Sequence, residues 1–325
     1  MKIAVLGAGS WGTTLASIIA DNTGKEVILW AREEEISSSI REKRENTKYL
    51  PGIKLSRNVS PTSDERAAVS GAGLIVTAIP SQFLRENLRS IKGNVAKECI
   101  VINAAKGLEL NTMKLMSQVI REELNISMLG VLSGPNHAEE VSRKIPTATV
   151  IASKNIPEKI IKSTFECSYF KVYPHDDVIG VEICGAMKNI TAIATGIISS
   201  LGLGDNASGA IITLGLREMV KVSRHFKGKQ ETCYGLAGVG DLVATCTSAK
   251  SRNRRAGELI AKGYSLEKIN EEMHGMVAEG IPTCKAVHEY AEKHDISLPL
   301  VRQSYKVIFE NKKLQNAIED LKRLI

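Results

Sequence analysis

Three glycines near the amino terminus have the spacing of a turn that binds the phosphates of a dinucleotide. Gly7, Gly9 and Gly12 form a G-x-G-x-x-G pattern directly after the β-favouring run Lys2 to Leu6. The first glycine permits a tight turn, the second lets backbone approach a pyrophosphate, and the third lets a helix pack closely on the strand. An ordinary glycine-rich turn also matches this pattern. The surrounding sequence favours dinucleotide binding, because a helical stretch and a second apolar strand follow.

The elements that position these glycines form a βαβ unit. A helix is expected from Ser10 to Ala20, with its free N–H groups and positive dipole end toward the phosphates. The second strand, from Glu26 to Trp30, is followed directly by Ala31 and Arg32. An arginine at this strand end can pair with a 2′-phosphate or stack on adenine, whereas NAD-specific units place a carboxylate there. We therefore expect NADPH to be accepted at least as well as NADH.

Two lysines stand where an amine could take part in a reaction. Lys106 follows the apolar run Cys99 to Ala104, and ligands bind beyond the carboxyl ends of strands in an open sheet. A solvated surface charge is an equally good interpretation of Lys106 from spacing alone. Lys188 stands in a helical stretch otherwise made of Gly, Ala and Ile, where desolvation would lower its pKa. The alternative for Lys188 is a buried stem whose amine reaches solvent.

A third group of polar residues has the character of a phosphate site. Ser251 is expected to cap a helix that carries Arg252 in its first turn. A helix start and a guanidinium together bind phosphate well. For Arg254 and Arg255 a solvated basic helix face is an equally good interpretation.

Composition excludes several functional classes. The 325 residues carry a net charge of +7, which suits an anionic partner, and a phosphorylated substrate with its cofactor is sufficient to explain it. The basic residues are scattered and aromatic residues make up only 4%, which argues against nucleic-acid binding. The six cysteines form no C-x-x-C pair and have no histidine at metal-ligand spacing, so we expect reduced thiols, a cytoplasmic protein and no metal. The most apolar stretch, Ile190 to Gly204, is too short to span a bilayer and is expected to be a buried helix.

The order of the elements predicts an α/β fold with a Rossmann-type doubly wound parallel sheet, followed by an all-helical second domain. Strands are expected at Leu74 to Ile79, Cys99 to Ala104 and Met128 to Leu132, with further strands near Ala148 to Ala152 and Phe170 to Tyr173. After Asp176 the pattern becomes helical, so we predict a dinucleotide-binding domain at 1–178 and a substrate-binding, catalytic domain at 179–325. The predicted helices of the second domain are Val178 to Leu201, Ala207 to His225, Arg252 to Ala261, Leu266 to Met273, Thr283 to Lys293 and Leu300 to Phe309.

Over essentially its whole length the chain resembles the NAD(P)-dependent glycerol-3-phosphate dehydrogenases. The motifs that carry the resemblance occur in one order and make it specific. They are Gly7-Ala8-Gly9-Ser10-Trp11-Gly12, Leu29-Trp30-Ala31-Arg32, Lys106-Gly107, Ser133-Gly134-Pro135-Asn136-His137-Ala138, Met187-Lys188-Asn189, Gly240-Asp241-Leu242, Ser251-Arg252-Asn253-Arg254-Arg255 and Ala278-Glu279-Gly280.

The resemblance implies hydride transfer between NADPH or NADH and the sn-glycerol 3-phosphate/dihydroxyacetone phosphate pair, supplying glycerol 3-phosphate for phospholipid synthesis. Lys188 matches the family's catalytic acid/base, and Lys106 is expected to assist it and to touch both ligands. The expected substrate contacts are Lys106, Gly134, Asn136, Lys188, Asp241, Ser251, Arg252 and Asn253. The expected cofactor contacts are Gly7, Gly9, Ser10, Trp11, Gly12, Arg32, Lys106, Ala138, Arg252, Val277 and Glu279. A homodimer is compatible with the resemblance; no nucleic acid or membrane insertion is expected.

Two positions depart from the family pattern. Many bacterial members have Ser or Thr where this chain has Asn136, which still offers hydrogen bonds. Others carry Arg in the T-R-G element where this chain reads Thr213-Leu214-Gly215, so we expect a structural ion pair to be lost there.

Two other functions share part of this pattern. One is a related 2-hydroxyacid or ketopantoate-type reductase with the same Rossmann-plus-helical plan, and the other is a nucleotide-sensing module without turnover. The helix start at Arg252-Asn253 favours a phosphorylated substrate, and Lys188 in an apolar helix argues against mere sensing.

Overall fold

Two units make up the chain in the computed structural model, which describes residues 1–273 and 275–323. The first unit contains Met1–Ala105 and Met116–Val178, and the second contains Lys106–Leu115 and Ile179–Ile325. The sequence analysis placed residues 106–115 in the first domain, whereas the structure places them in the second unit. The reason is apolar burial, because Leu108 and Leu115 belong to the same buried cluster as Ile183 and Met187.

One sheet organises the first unit, and among the described residues it has eight strands in the order β3-β2-β1-β4-β5-β6-β7-β8. β1 to β6 are parallel, as predicted, and the Rossmann-type fold is confirmed. The strands are β1 (Lys2–Leu6), β2 (Val27–Trp30), β3 (Val59–Thr62), β4 (Ala72–Thr77), β5 (Ile100–Asn103), β6 (Met128–Ser133), β7 (Thr147–Ser153) and β8 (Phe170–His175).

The last two strands depart from a fully parallel sheet. β7 pairs antiparallel with β6, and β8 pairs parallel with β7. The connection between β6 and β7 contains a four-residue helix, Ala138–Val141. The short edge strand β3 escaped the sequence analysis because it reads Val-Ser-Pro-Thr, without a β-branched apolar run.

Helices cover both faces of this sheet because alternate strand residues point to opposite sides. Ile3 and Val5 of β1 belong to one buried cluster, and Ala4 and Leu6 belong to another. The helices are α1 (Ser10–Thr23), α2 (Glu34–Lys43), α3 (Glu65–Val69), α4 (Ser81–Ile91), α5 (Met116–Glu123), α6 (Ala138–Val141) and α7 (Glu158–Phe165).

From Val178 onward the described residues of the second unit form helices joined by loops, as predicted from the change in pattern after Asp176. A π-helical turn, Leu236–Gly240, leads directly into one of its helices. The helices are α8 (Val178–Ser200), α9 (Gly204–His225), α10 (Gln230–Tyr234), α11 (Asp241–Thr247), α12 (Arg252–Ala261), α13 (Leu266–Glu272), α14 (Gly280–Lys293), α15 (Pro299–Phe309) and α16 (Leu314–Lys322).

The central helix α8 is enclosed by its neighbours. By length and composition it could cross a membrane, but its apolar 18-residue window is entirely buried in the fold, which is typical of a core helix. Glycines allow two helices to approach it closely. A Cβ on Gly257 of α12 would lie 2.0 Å from the Ile193 carbonyl oxygen, and one on Gly280 of α14 would lie 2.6 Å from that of Asn189. Any side chain at these positions would push the helices apart.

A buried carboxylate on α9 caps the start of α15. The side chain of Glu218 accepts hydrogen bonds from the backbone N–H groups of Leu300, at 2.5 Å, and Val301, at 3.1 Å. Burial raises the pKa of Glu218 to about 7, although these two donors act in the opposite direction. One turn earlier, Leu214 packs in an apolar cluster that includes Leu300 and Leu321. Leu214, where the family pattern led us to expect an arginine, therefore takes part in apolar packing.

Replacing this capping carboxylate should destabilise the second unit. In Glu218→Ala two buried N–H groups lose their acceptors, which should lower the free energy of unfolding by about 3 kcal/mol. Urea unfolding measures the change. Glu289→Ala is the control, because its half-exposed side chain lies 4.0 Å from Lys285 and its loss should cost under about 0.5 kcal/mol. Equal unfolding midpoints for the two variants would contradict the capping role.

Candidate active site

Two lysines share one buried carboxylate in the second unit. The Nζ of Lys188, on α8, lies 2.5 Å from Oδ1 of Asp241, the first residue of α11. The Nζ of Lys106 lies 2.9 Å from the other oxygen, Oδ2. The side chains of Lys188 and Asp241 are 7% and 3% exposed, and that of Lys106 is 15% exposed. The structure thus brings together three residues that the sequence analysis singled out separately.

Burial disfavours the second positive charge of this cluster. Burial lowers the pKa of Lys188 to about 7, and the nearby charge of Lys106 adds to the effect, while Asp241 opposes it. Burial also acts to raise the pKa of Asp241, but the two lysines outweigh it and hold that pKa below its ordinary value. One carboxylate compensates one ammonium, so the arrangement favours a charged Lys106–Asp241 pair beside a neutral Lys188.

Thr245 completes the surroundings of Lys188 and was not assigned a role from the sequence. Lys188 Nζ donates to the Thr245 hydroxyl oxygen at 2.8 Å, and this hydroxyl lies 3.3 Å from Asp241 Oδ1. Thr245 follows Asp241 by four residues on α11, and residues at that spacing share one helix face. The spacing was visible in the sequence, but a start of α11 at Asp241 had not been predicted.

The residue after Lys188 connects three elements of the second unit. Asn189 donates to the carbonyl oxygen of Lys106 at 3.3 Å, and its Oδ1 accepts from the side chain of Asn253 at 2.9 Å. The side-chain oxygen of Asn253 accepts from the backbone N–H of Gly280 at 2.8 Å. Asn253, predicted to bind substrate, therefore links α12 to α8 through its side-chain nitrogen and to the start of α14 through its side-chain oxygen.

The start of α12 has the geometry expected of a phosphate site. Ser251 caps the helix by accepting from the Arg254 N–H at 3.2 Å. Arg252 is exposed in the first turn, and its guanidinium makes no hydrogen bond or ion pair within residues 1–273 and 275–323. By contrast, Arg254 donates to Ser199, and Arg255 lies 3.5 Å from Glu258. Of these three arginines, Arg252 is the one available to an anion.

In the first unit, the glycine-rich turn leaves room for a phosphate. A Cβ on Gly12 would lie 1.9 Å from the Gly7 carbonyl oxygen, and one on Gly7, whose φ is +105°, would lie 2.7 Å from that of Ala78. These two positions need glycine for the fold itself. A Cβ on Gly9 would meet nothing within 4 Å, and the N-cap position of α1 has no side-chain cap. Open space beside uncapped N–H groups fits a pyrophosphate.

Other residues predicted to contact the cofactor lie around this turn or in the second unit. The indole Nε1 of Trp11 is buried without a hydrogen-bond acceptor among the described residues, so a polar group of a ligand would satisfy it. Arg32 is 71% exposed just after β2 and lies 3.3 Å from Glu33. Ala138 begins α6 in the first unit, whereas Val277 and Glu279 immediately precede α14 in the second.

Asn46 was missed by the sequence analysis. Its buried amide donates to the carbonyl oxygen of Ala8 at 2.8 Å and to the hydroxyl of Thr13 at 2.9 Å. It thus holds the glycine-rich turn from outside the G-x-G-x-x-G pattern. An asparagine just beyond α2 offers no local signal for this long-range contact.

Gly134 and Asn136, both predicted to bind substrate, follow β6 in the first unit. Gly134 has a φ of +144°, a conformation that favours glycine, and its backbone passes close to Thr149. Asn136 donates to the Thr149 hydroxyl at 2.9 Å, and that hydroxyl donates to the Ser133 carbonyl oxygen at 3.0 Å. The orientation of the Asn136 amide is therefore set by β7.

A Rossmann-type sheet with this glycine turn and a buried lysine beside a carboxylate are features that suit a nicotinamide-dependent dehydrogenase. The family models agree with this class. The model of the NAD-dependent glycerol-3-phosphate dehydrogenase N-terminus matches residues 2–158, and the model of the C-terminus matches residues 177–319. The chain belongs to the NAD-dependent glycerol-3-phosphate dehydrogenase family.

Individual relatives support the same assignment over nearly the full length. Glycerol-3-phosphate dehydrogenase (NAD(P)+) of Moorella thermoacetica is 46% identical over 321 residues, which cover 98% of this chain and 95% of that protein. The crystal structure of glycerol-3-phosphate dehydrogenase from Coxiella burnetii is similar with a TM-score of 0.94, 38% identity and 98% coverage of both chains. The structure of the Saccharomyces cerevisiae enzyme gives a TM-score of 0.85 at 35% identity, covering 98% of this chain and 99% of that one.

The contrast between Gly9 and Gly12 predicts two different consequences of adding one methyl group. Gly9→Ala has room for its Cβ and an ordinary φ of −68°, so thermal stability should be unchanged while NADH affinity falls about tenfold or more. Gly12→Ala should lower the free energy of unfolding by about 2 kcal/mol, because α1 must move away from Gly7. Thermal unfolding and NADH titration separate the two effects. Full NADH affinity in Gly9→Ala would exclude the proposed pyrophosphate position.

Proposed function

We propose that this chain catalyses reversible hydride transfer between NAD(P)(H) and the sn-glycerol 3-phosphate/dihydroxyacetone phosphate pair, with Lys188 as the acid/base. The chain is an NAD(P)-dependent oxidoreductase by family, and the names of its relatives support the substrate pair. The single observation that carries the mechanism is the sharing of Asp241 between Lys188 and Lys106. We place the reaction in the supply of glycerol 3-phosphate for phospholipid synthesis.

The surroundings of Lys188 suit a proton acceptor. When bound, the nicotinamide supplies or accepts the hydride. A neutral Lys188 amine has two N–H donors, which Asp241 Oδ1 and the Thr245 hydroxyl occupy. The lone pair of the amine can then accept the proton of the substrate hydroxyl. In the reverse direction the protonated amine donates that proton back. Asp241 keeps the amine in place in both protonation states.

Lys106 has an electrostatic role in this proposal. Its ammonium is paired with Asp241 at 2.9 Å, and its side chain is more exposed than that of Lys188. A fixed positive charge near the reacting oxygen stabilises the alkoxide that develops in the transition state. The charge of Lys106 also lowers the pKa of Asp241 and so favours its ionised form.

The proposed substrate contacts are the start of α12, with the residues that hold it, and two residues that follow β6. Arg252 and the start of α12 hold the substrate phosphate, and Asn253 fixes that helix against α8 through Asn189. Gly134 and Asn136 of the first unit are further proposed substrate contacts. Binding energy from the phosphate is thereby used to orient the carbon that reacts.

We further propose a cytoplasmic enzyme that works with reduced thiols. None of the six cysteines, all of them described, forms a disulfide, and five of them are buried. Burial raises the pKa of Cys246 to about 12, so this thiol near the lysine cluster stays protonated.

The pH dependence of the reaction tests the assignment of Lys188. Oxidation needs the neutral amine, so kcat/KM for glycerol 3-phosphate should rise through pH about 7 and level off above it. Reduction needs the ammonium, so kcat/KM for dihydroxyacetone phosphate should fall as pH rises through the same value.

Lys188→Ala should lower kcat by ~10²–10⁴ while leaving NADH affinity nearly unchanged. Lys221→Ala, an exposed lysine bonded to the Ser297 carbonyl, is the control. Single-turnover rates of Lys188→Ala within a few-fold of wild type would reject the assignment.

Arg252→Ala tests the substrate class. Loss of a charge-assisted contact worth roughly 1.5–3 kcal/mol should raise KM for dihydroxyacetone phosphate by about tenfold to a hundredfold. Unphosphorylated dihydroxyacetone should be a poor substrate for both proteins, and the substitution should not weaken it further. Arg255→Ala, which removes an exposed arginine of the same helix, is the matched control. An unchanged KM in Arg252→Ala would exclude this helix start as the phosphate site, and equal use of dihydroxyacetone by wild type would refute the substrate class.

Arg32 should determine the preference between cofactors. Its exposed guanidinium at the end of β2 suits a 2′-phosphate, so NADPH should be used at least as well as NADH. Arg32→Ala should lower kcat/KM for NADPH more than for NADH. Steady-state rates with each cofactor measure the ratio, and Arg41→Ala on the neighbouring α2 is the control. Equal losses with both cofactors would show that Arg32 only stacks on adenine.

A further inference from the structure

A cleft of about 280 Å³ lies in the first unit and is lined by residues that have no role in the proposed reaction. One wall is the face of α1 that carries Thr14, Ile18 and Asp21, and the others come from residues 50–57, from 142–144 and from Tyr169. Its volume lies just below the range of roughly 300–1,000 Å³ that is usual for small-molecule sites. The cleft therefore has room for a ligand smaller than a nucleotide.

The polar lining of the cleft favours an anion. Lys54, Arg57 and Lys144 contribute three positive charges against the one carboxylate of Asp21. Lys54 is engaged with Glu45 at 3.5 Å, but Arg57 has no hydrogen bond or ion pair in the described part of the chain. The amine of Lys144 lies 6.0 Å from the centre of the Tyr169 ring. Arg57 and Lys144 are thus two cations available to a dianionic group.

A buried hydroxyl and an apolar wall further indicate which kind of ligand the cleft can bind. Ser142 also lines it, and its Oγ is buried without a hydrogen-bond partner among the described residues, which is costly unless a ligand or water supplies one. Leu50 and Leu55, only 2% and 5% exposed, and Ile18 provide apolar surface. A ligand with a charged head and a short apolar body matches both parts.

The cleft is connected to the cofactor-binding turn by Thr14. The hydroxyl of this lining residue donates to the Ser10 carbonyl oxygen at 2.8 Å and lies 3.5 Å from that of Ala138. Ser10 and Ala138 are the first residues of α1 and α6 and are both predicted cofactor contacts. A ligand packed against Thr14 would therefore contact a residue whose hydroxyl reaches both of the helix starts that are predicted to contact the cofactor.

We propose that this cleft binds a small phosphate monoester with a short aliphatic body, and that its occupancy changes the affinity of the first unit for NADH. The phosphate accepts from Arg57, Lys144 and Ser142, and the aliphatic body packs on Ile18, Leu50 and Leu55. The site is separate from the phosphate site at α12, because each is formed by residues of a different unit.

Calorimetric titration with hexyl phosphate tests the binding. The double variant Arg57→Ala/Lys144→Gly removes both available cations, and glycine suits residue 144 because its φ is +61°. Wild type should bind hexyl phosphate at least about tenfold more tightly than this variant does. Lys97→Ala, an exposed lysine of the same unit outside the cleft, should bind like wild type. Equal affinity in wild type and the double variant, or inorganic phosphate binding as tightly as hexyl phosphate, would overturn the proposal.

NADH titration with and without saturating hexyl phosphate tests the coupling. The NADH dissociation constant of wild type should change at least about threefold, and that of the double variant should not. An equal change in both proteins would mean that hexyl phosphate competes directly at the cofactor site. That result, or no change in wild type, would overturn the regulatory part. Unaltered NADH affinity of the double variant without hexyl phosphate shows that the cofactor site itself is intact.

Discussion

A single buried carboxylate shared by two lysines is the interaction on which the catalytic centre depends. Asp241 contacts Lys106 with one oxygen and Lys188 with the other. Removing charge from water is costly, so a buried cluster with one negative charge stabilises one positive charge and disfavours a second. The more deeply buried amine, that of Lys188, is the one that loses its proton. Its low pKa therefore follows mainly from burial, to which the charge of Lys106 adds and which that of Asp241 opposes.

The architecture of the second unit serves this arrangement. α8 must be apolar and enclosed for Lys188 to be desolvated, and it is buried along nearly its whole length. The close approach of α12 and α14 at Gly257 and Gly280 then lets Asn253 link both helices to Asn189. The helix proposed to bind substrate phosphate is thus held against the residue that follows Lys188. A side chain at either glycine would weaken this link before it touched any ligand.

The structural features that could be predicted from the sequence are those that short stretches of neighbouring residues determine. The G-x-G-x-x-G turn, the strand–helix alternation and the Ser251 cap each depend on a few neighbouring residues, and each element forms as predicted. The antiparallel entry of β7 and the placement of residues 106–115 depend on partners distant in the chain. Asn46 and Glu218 likewise act on backbone groups 38 and 82 residues away, respectively. No periodicity or capping signal reports such contacts. The roles of the substrate and cofactor contacts remain predictions.

The protonation state of Lys188 can be measured directly. In protein labelled with ¹⁵N lysine, the Nζ resonance of Lys188, assigned by its absence in Lys188→Ala, reports the charge of the amine as pH is varied. Burial of this amine predicts a midpoint at about pH 7 for Lys188, even though Asp241 acts in the opposite direction. A Lys188 midpoint near the ordinary lysine value of 10.5 would contradict the account.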